Sequence, residues 1–104
     1  MTGKMDQRIR IYRYKLVADS EGQQIPDPIL VATLWAAAAP VSGREFEMLK
    51  SISSEISRKF TTNYRLDIDV LMKAVWRGAT WNIHDVQQDE DYKQYMAIYV
   101  SKVK

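Results

Sequence analysis

The chain predicts a mostly β fold: a small antiparallel β-barrel of five to six strands, with a long, partly helical insert between two of them. Three observations carry this. Arg8 to Lys15 alternates with period two, and so do the stretches from Ile56 to Arg65 and from Tyr92 to Val103. Arg77-Gly78-Ala79 interrupts two apolar runs in the manner of a tight hairpin, with glycine supplying the unusual backbone angle. An antiparallel barrel is then the natural way to bury one face of so many strands while limiting exposed edges.

In the first strand Ile9 and Ile11 share one face, while Arg8, Arg10, Tyr12 and Tyr14 share the other. Asp19-Ser20-Glu21-Gly22 is turn chemistry, and Pro26-Asp27-Pro28 holds the next segment extended. Ile29 to Ala39 reads as a long second strand. Its alanines also suit a helix, but the flanking prolines and Val31, Thr33 and Trp35 favour a strand. Ser42-Gly43-Arg44-Glu45 matches a capping box, with Phe46, Leu49, Ile52 and Ile56 following at helical spacing. Ser51, Ser53 and Ser54 weaken that helix, because serines compete for backbone hydrogen bonds. A helix of about ten residues is marginal alone in water, so the insert is expected to be mobile in the free protein and ordered by a partner.

Beyond it, Ile56, Arg58, Phe60, Thr62 and Tyr64 line one side of a third strand. Leu66 to Asp69 is a connection with room for one helical turn through Val70 and Leu71. Lys73 to Trp76 and Thr80 to Val86 flank the hairpin, Asp89-Glu90-Asp91 makes another turn, and the last strand turns Met96, Ile98 and Val100 to the core. Trp35, Trp76 and Trp81 all fall inside strands, where core packing is the default expectation.

With 104 residues the chain is expected to form one domain. Its composition, 46% hydrophobic and 27% charged, is that of an ordinary globular protein. It has no cysteine, hence neither disulfide nor thiolate chemistry. No apolar run approaches the roughly 20 residues that span a bilayer, so no membrane partner is expected, and the polar start is unlike a signal peptide. A net charge of +2 does not argue for nucleic acid, but the distribution is uneven. Arg8, Arg10 and Arg13 lie near one end of the sequence and Asp89, Glu90 and Asp91 near the other. Two such regions form a candidate interface for head-to-tail docking of copies.

Reaction chemistry is hard to find. The single histidine, His84, sits beside Asp85 in a strand, where neighbouring side chains point to opposite faces. Asp67 and Asp69 share a side if extended but have no third ligand, and the glycines are scattered singly. The chain is therefore read as a non-enzyme without cofactor or metal.

The combination of Arg8-Ile9-Arg10-Ile11, Val31-Ala32-Thr33-Leu34-Trp35-Ala36, Pro40-Val41-Ser42-Gly43-Arg44-Glu45 and the strand closing on Tyr64-Arg65 resembles the head–tail joining proteins of long-tailed bacteriophages. These are also called head-closure, head-completion or stopper proteins. Arg77-Gly78-Ala79-Thr80-Trp81-Asn82-Ile83, followed by Val86, matches that family's last hairpin. Asn63 departs from it, standing where such proteins often carry a basic residue.

The resemblance implies a virion protein, assembled in the host cytoplasm, that forms a closed ring of about twelve copies. The ring would sit beneath the portal and its adaptor, close the channel after DNA packaging and offer a docking surface to a tail-side protein. Packaged DNA would be met only at the channel. Ser42 to Ser57 would be the insert that projects towards the channel axis, with Ser42, Gly43, Arg44, Glu45, Phe46, Leu49, Lys50 and Ile52 as its channel-facing residues. Two other readings remain open: a tail-side neck or terminator protein, and a small-barrel single-strand binder suggested by the Arg/Tyr face of the first strand.

Overall fold

The computed structural model describes residues 4–88 and 94–103. Along the chain run β1 (Gln7–Ala18), β2 (Gln24–Pro40), α1 (Gly43–Leu49), β3 (Arg58–Asn63), β4 (Lys73–Trp76), β5 (Ala79–Gln88) and β6 (Tyr95–Lys102). The six strands pair antiparallel and close into a barrel in the order β1-β2-β3-β6-β5-β4. The helix spans only seven residues, so the long helical insert expected from the sequence is a single short helix followed by turns.

Period-two alternation decides what faces inward. Ile9 and Ile11, Leu34 and Ala36, and Ile98 and Val100 are buried in one cluster with Phe60, Trp76 and Trp81. Three of these rings meet towards the cap-side mouth of the barrel: Phe60 lies 5.4 Å from Trp76 and 6.2 Å from Trp81, both edge-on, and the two indoles are 5.7 Å apart. Polar groups inside this core are mostly satisfied. Thr62 donates its hydroxyl to the Trp35 carbonyl at 2.8 Å, and the Trp76 indole N–H donates to Gln7 Oε1 at 3.1 Å. The buried Trp81 Nε1 has no acceptor among the described residues. Trp35 departs from expectation. Leu34 and Ala36 face inward, so strand parity forces it outward, where it is 53% exposed.

β1 and β2 are longer than the barrel needs. β4 pairs with β1 only over Arg10, Ile11 and Tyr12, and β3 pairs with β2 only from Ala36 onwards. Beyond these limits the two strands continue as a paired arm, which stretches the molecule to 51 Å along one axis against 26 Å along the others. β2 therefore begins at Gln24 and runs through both prolines, five residues ahead of the start expected from the sequence. Pro26 and Pro28 lie two apart, so their missing N–H groups fall on the same side, away from β1. There they blunt the free edge against strand addition. At the tip the Asp19 carboxylate accepts from the amides of Glu21 and Gln23, at 2.9 and 2.8 Å, and Gly22 takes φ 84°.

β3 and β4 are not neighbours in the barrel, so residues 64–72 must cross its end. Ile68 is buried in the core there, and the Arg65 carbonyl accepts from Gln88 Nε2 at 2.8 Å. The helical turn expected through Val70 and Leu71 is instead a turn closed by Asp69, whose carboxylate accepts from the Leu71 amide at 2.9 Å. The hairpin joining β4 to β5 is as expected, with positive φ at Arg77 (51°) as well as at Gly78 (75°). The arm and the crossing loop thus occupy one end of the barrel. Helix α1, the Arg77-Gly78 turn and the start of β1 occupy the other.

Candidate functional site

At the helix end, Ser42 caps α1 in both directions. Its hydroxyl accepts from the Glu45 amide at 3.2 Å, and its own amide donates to Glu45 Oε1 at 3.1 Å. The other oxygen of Glu45 is bound to the barrel wall, accepting from Lys59 Nζ at 2.8 Å and from the Tyr99 hydroxyl at 3.1 Å. Leu49 packs with Ile56 and Tyr99 in a second apolar cluster, distinct from the barrel core. The backbone bond from the Ser57 amide to the Val100 carbonyl, 3.0 Å, ties the segment down again. The expectation of a free, projecting insert therefore gives way to a cap seated on β3 and β6. The sequence showed the capping box but not Tyr99, its most distant anchor.

Of the residues assigned to the insert, Ser42, Glu45 and Leu49 hold the cap in place, and Phe46 is half-buried. Gly43 opens the helix with empty space around its α-carbon. Arg44, Lys50 and Ile52 are exposed, together with Met48, and Lys50 pairs with Glu47 at 2.7 Å. The cap thus anchors by one face and offers the other.

The Lys59 hydrogen bond holds the Glu45 carboxyl at about 2, below its ordinary 4.5, against the opposing pull of burial. A carboxylate whose pKa is lower folded than unfolded stabilises fully above about 4.5 and loses that contribution as pH falls towards 2. The melting temperature of the wild type is expected to drop across this window. Glu45→Gln should melt lower at neutral pH and show a flatter acid limb. Parallel acid limbs in the two proteins would remove Glu45 as the cap's electrostatic anchor. Tyr99 is pushed the other way, up to about 12, first by burial and then by the neighbouring Glu45 charge, so its phenol stays a donor.

The barrel mouth beside the cap is basic, a feature that sequence reasoning missed. The Arg77 guanidinium lies 4.7 Å from the Trp76 ring and that of Arg58 lies 6.0 Å from it, and Lys102 shares the same depression. These residues are far apart in sequence, and no local pattern marks them. Only the barrel pairing brings them together.

The basic residues of β1 divide. Arg8 and Arg10 stand on the outer wall, Arg8 with its guanidinium 4.9 Å from the Trp35 ring and Arg10 paired across to Thr33 and Val75. Arg13 is exposed on the arm, on the opposite face. Asp89, Glu90 and Asp91, their proposed counterparts, lie outside the described residues.

Asp67 has a structural partner. Arg65 grips Asp67 through two bonds, 2.9 and 2.7 Å, which hold that carboxyl below its usual range. His84 occupies a bulge between the residues paired to Val100 and Tyr99, with Nε2 2.6 Å from the Ser101 hydroxyl. Among the described residues no group of three His, Cys, Asp or Glu side chains could hold a metal ion. Nor is any described helix long and apolar enough to cross a membrane.

Known structures share this architecture. Protein SF1141 from Shigella flexneri 2a, solved in solution, is similar with a TM-score of 0.74 at 22% identity, over 96% of this chain and 94% of that one. A chain from the virion of a native gene transfer agent particle is similar with a TM-score of 0.58 at 11% identity, over 97% of both chains. At these identities the likeness speaks for the fold. No curated protein sequence matches the chain. A family model described as phage head completion protein matches residues 1–103. That match spans nearly the whole barrel, its cap and its arm, and it places the chain in the phage head completion family, with a structural role in the phage head.

Proposed function

We propose that the protein forms a ring at the head–tail interface, closing the portal channel after DNA packaging and presenting the surface on which the tail docks. The observation that carries this reading is the two-ended build of a family member: a rigid barrel with a small anchored cap at one end and a long arm at the other. A part inserted between two larger assemblies needs distinct surfaces for each, and these ends differ in shape and charge. The cap's exposed face, with Arg44, Met48 and Ile52, is the element assigned to the channel. The barrel supplies the fixed mount. Copies of the chain, the portal or adaptor ring and a tail-side protein are the partners, with packaged DNA met only where the cap lines the channel. Assembly takes place in the host cytoplasm.

The test is electron microscopy of DNA-filled, tailless heads incubated with the purified protein. A new ring of density at one vertex, with DNA better retained, is the expected result. Density on tail tubes in place of heads would transfer the role to the tail side.

A further inference from the structure

Two exposed surfaces are left over by the fold, and they match each other. The first runs along the outside of β1 and β2 and out onto the arm. β1 keeps its alternation past the barrel, so Arg8, Arg10, Tyr12, Tyr14 and Leu16 share one outward face. β2 carries an extra residue opposite Ile11 and Tyr12, and this irregularity keeps Leu30 and Pro28 on the same face as Trp35. A groove of about 250 Å³ lined by Tyr12, Tyr14, Pro28 and Val75 confirms that these side chains converge. Leu16 is 64% exposed and Leu30 52%. The charged residues on this stripe are Arg8, Arg10 and Lys73, whose ammonium lies 6.0 Å from the Tyr14 ring. No carboxylate stands among them at the paired positions.

The second surface is a knob on the crossing loop. Leu66 is 78% exposed and Leu71 84%, with Val70 between them. Beneath them a groove of about 330 Å³ runs between the loop and the end of β5, and Asp69 and Asp85 are the charged residues that line it. Exposed leucines concentrated on an ordered loop mark a contact surface. In the closed six-strand order β5 stands three strands from β2 in either direction, so the groove of the knob and the β2 side of the stripe are separated around the barrel, with β4 between the knob and the β1 side. Within one chain the leucines of both patches are left exposed.

We propose that the acidic-rimmed knob of one copy seats against the basic, apolar β1–β2 stripe of the next. Apolar surface meets apolar surface, with Asp69 and Asp85 brought against Arg8, Arg10 and Lys73. Because the two patches are different, the contact is heterologous and propagates from copy to copy. The prolines on the free edge of β2 fit this mode, since they discourage pairing by strand addition and leave the face as the usable surface. The contact deepens the ring reading above and rests on it for its closure.

The chain has no cysteine, so single thiols can be placed at will. Leu30→Cys is mixed, as concentrated protein, with a size-tagged Leu66→Cys and treated with a short bis-maleimide. Both sites are exposed, so folding is retained, and melting curves check this. A heterodimer several-fold more abundant than from a control pair, Leu30→Cys with tagged Met48→Cys, is expected. Adding Arg10→Glu to the Leu30→Cys chain should cut that yield several-fold. Equal yields from both pairs, or indifference to Arg10→Glu, would overturn the contact. The outcome is independent of the head experiment. Cross-linking without a ring on heads removes the channel role and keeps the contact, and the reverse keeps the role and removes the contact.

Discussion

Trp81→Ala is expected to destabilise the barrel by about 3–5 kcal/mol, the usual cost of truncating a buried aromatic. Trp81 is 7% exposed and completes the triangle with Phe60 and Trp76, so its removal leaves two large rings facing a void at the cap-side end of the core. Domains of this size are held by only about 5–15 kcal/mol in total. At roughly 4–8 °C per kcal/mol the melting temperature should fall by about 12–40 °C. Trp81→Phe separates packing from polarity. It keeps a ring against Phe60 and deletes the buried Nε1 donor, which has no acceptor among the described residues, so part of the lost contact is offset. Urea unfolding should show a lower midpoint with an unchanged slope for both variants, far smaller for Phe. A loss below about 1.5 kcal/mol for the alanine variant would mean that the site collapses around the void.

The largest functional effect is expected from the outer face of the cap. A triple variant, Arg44→Ser, Met48→Ser and Ile52→Ser, removes exposed side chains and leaves Ser42, Glu45, Leu49 and Tyr99 in place. Surface changes of this kind usually stay within about 0.5 kcal/mol each. The variant should therefore melt near the wild type, add to DNA-filled heads and fail to retain their DNA. Replacing the whole stretch from Phe46 to Ile52 would be a poorer probe, because it also unseats Leu49 at a cost of about 2–5 kcal/mol. Wild-type retention by the triple variant would refute the assignment of the cap to the channel.

Much of this molecule is legible in its sequence, for local reasons. Ile9 and Ile11, or Met96, Ile98 and Val100, announce their inward faces because strand periodicity is a nearest-neighbour property. The Ser42–Glu45 capping box and the Arg77-Gly78 hairpin are local in the same sense. What escapes is set by partners distant along the chain. Nothing near Trp35 says that it faces solvent, because that depends on which of two parities the neighbouring strands select. The arm is hidden because its existence depends on where β3 and β4 stop pairing. The cap's docking is hidden because Tyr99 lies 54 residues from Glu45. The same limits apply to the cap: the capping box and the helical spacing mark where it lies, but its anchored and presented faces could not be separated.

The position of β6 has a consequence for how the chain reaches this state. β6 is the last strand along the sequence, yet in space it lies between β3 and β5. The β1–β2 and β4–β5 hairpins can form from close neighbours, on a timescale of roughly microseconds. Closure must wait for residues 95–102 to arrive and zip against both flanking strands. Until then Phe60 and Trp81 lie uncovered and two strand edges stand open. Such pairing at long sequence separation slows folding towards roughly milliseconds to seconds. Nascent copies are therefore most prone to clump during the interval before the final strand locks, and the yield of assembly-ready subunits depends on how quickly that interval ends.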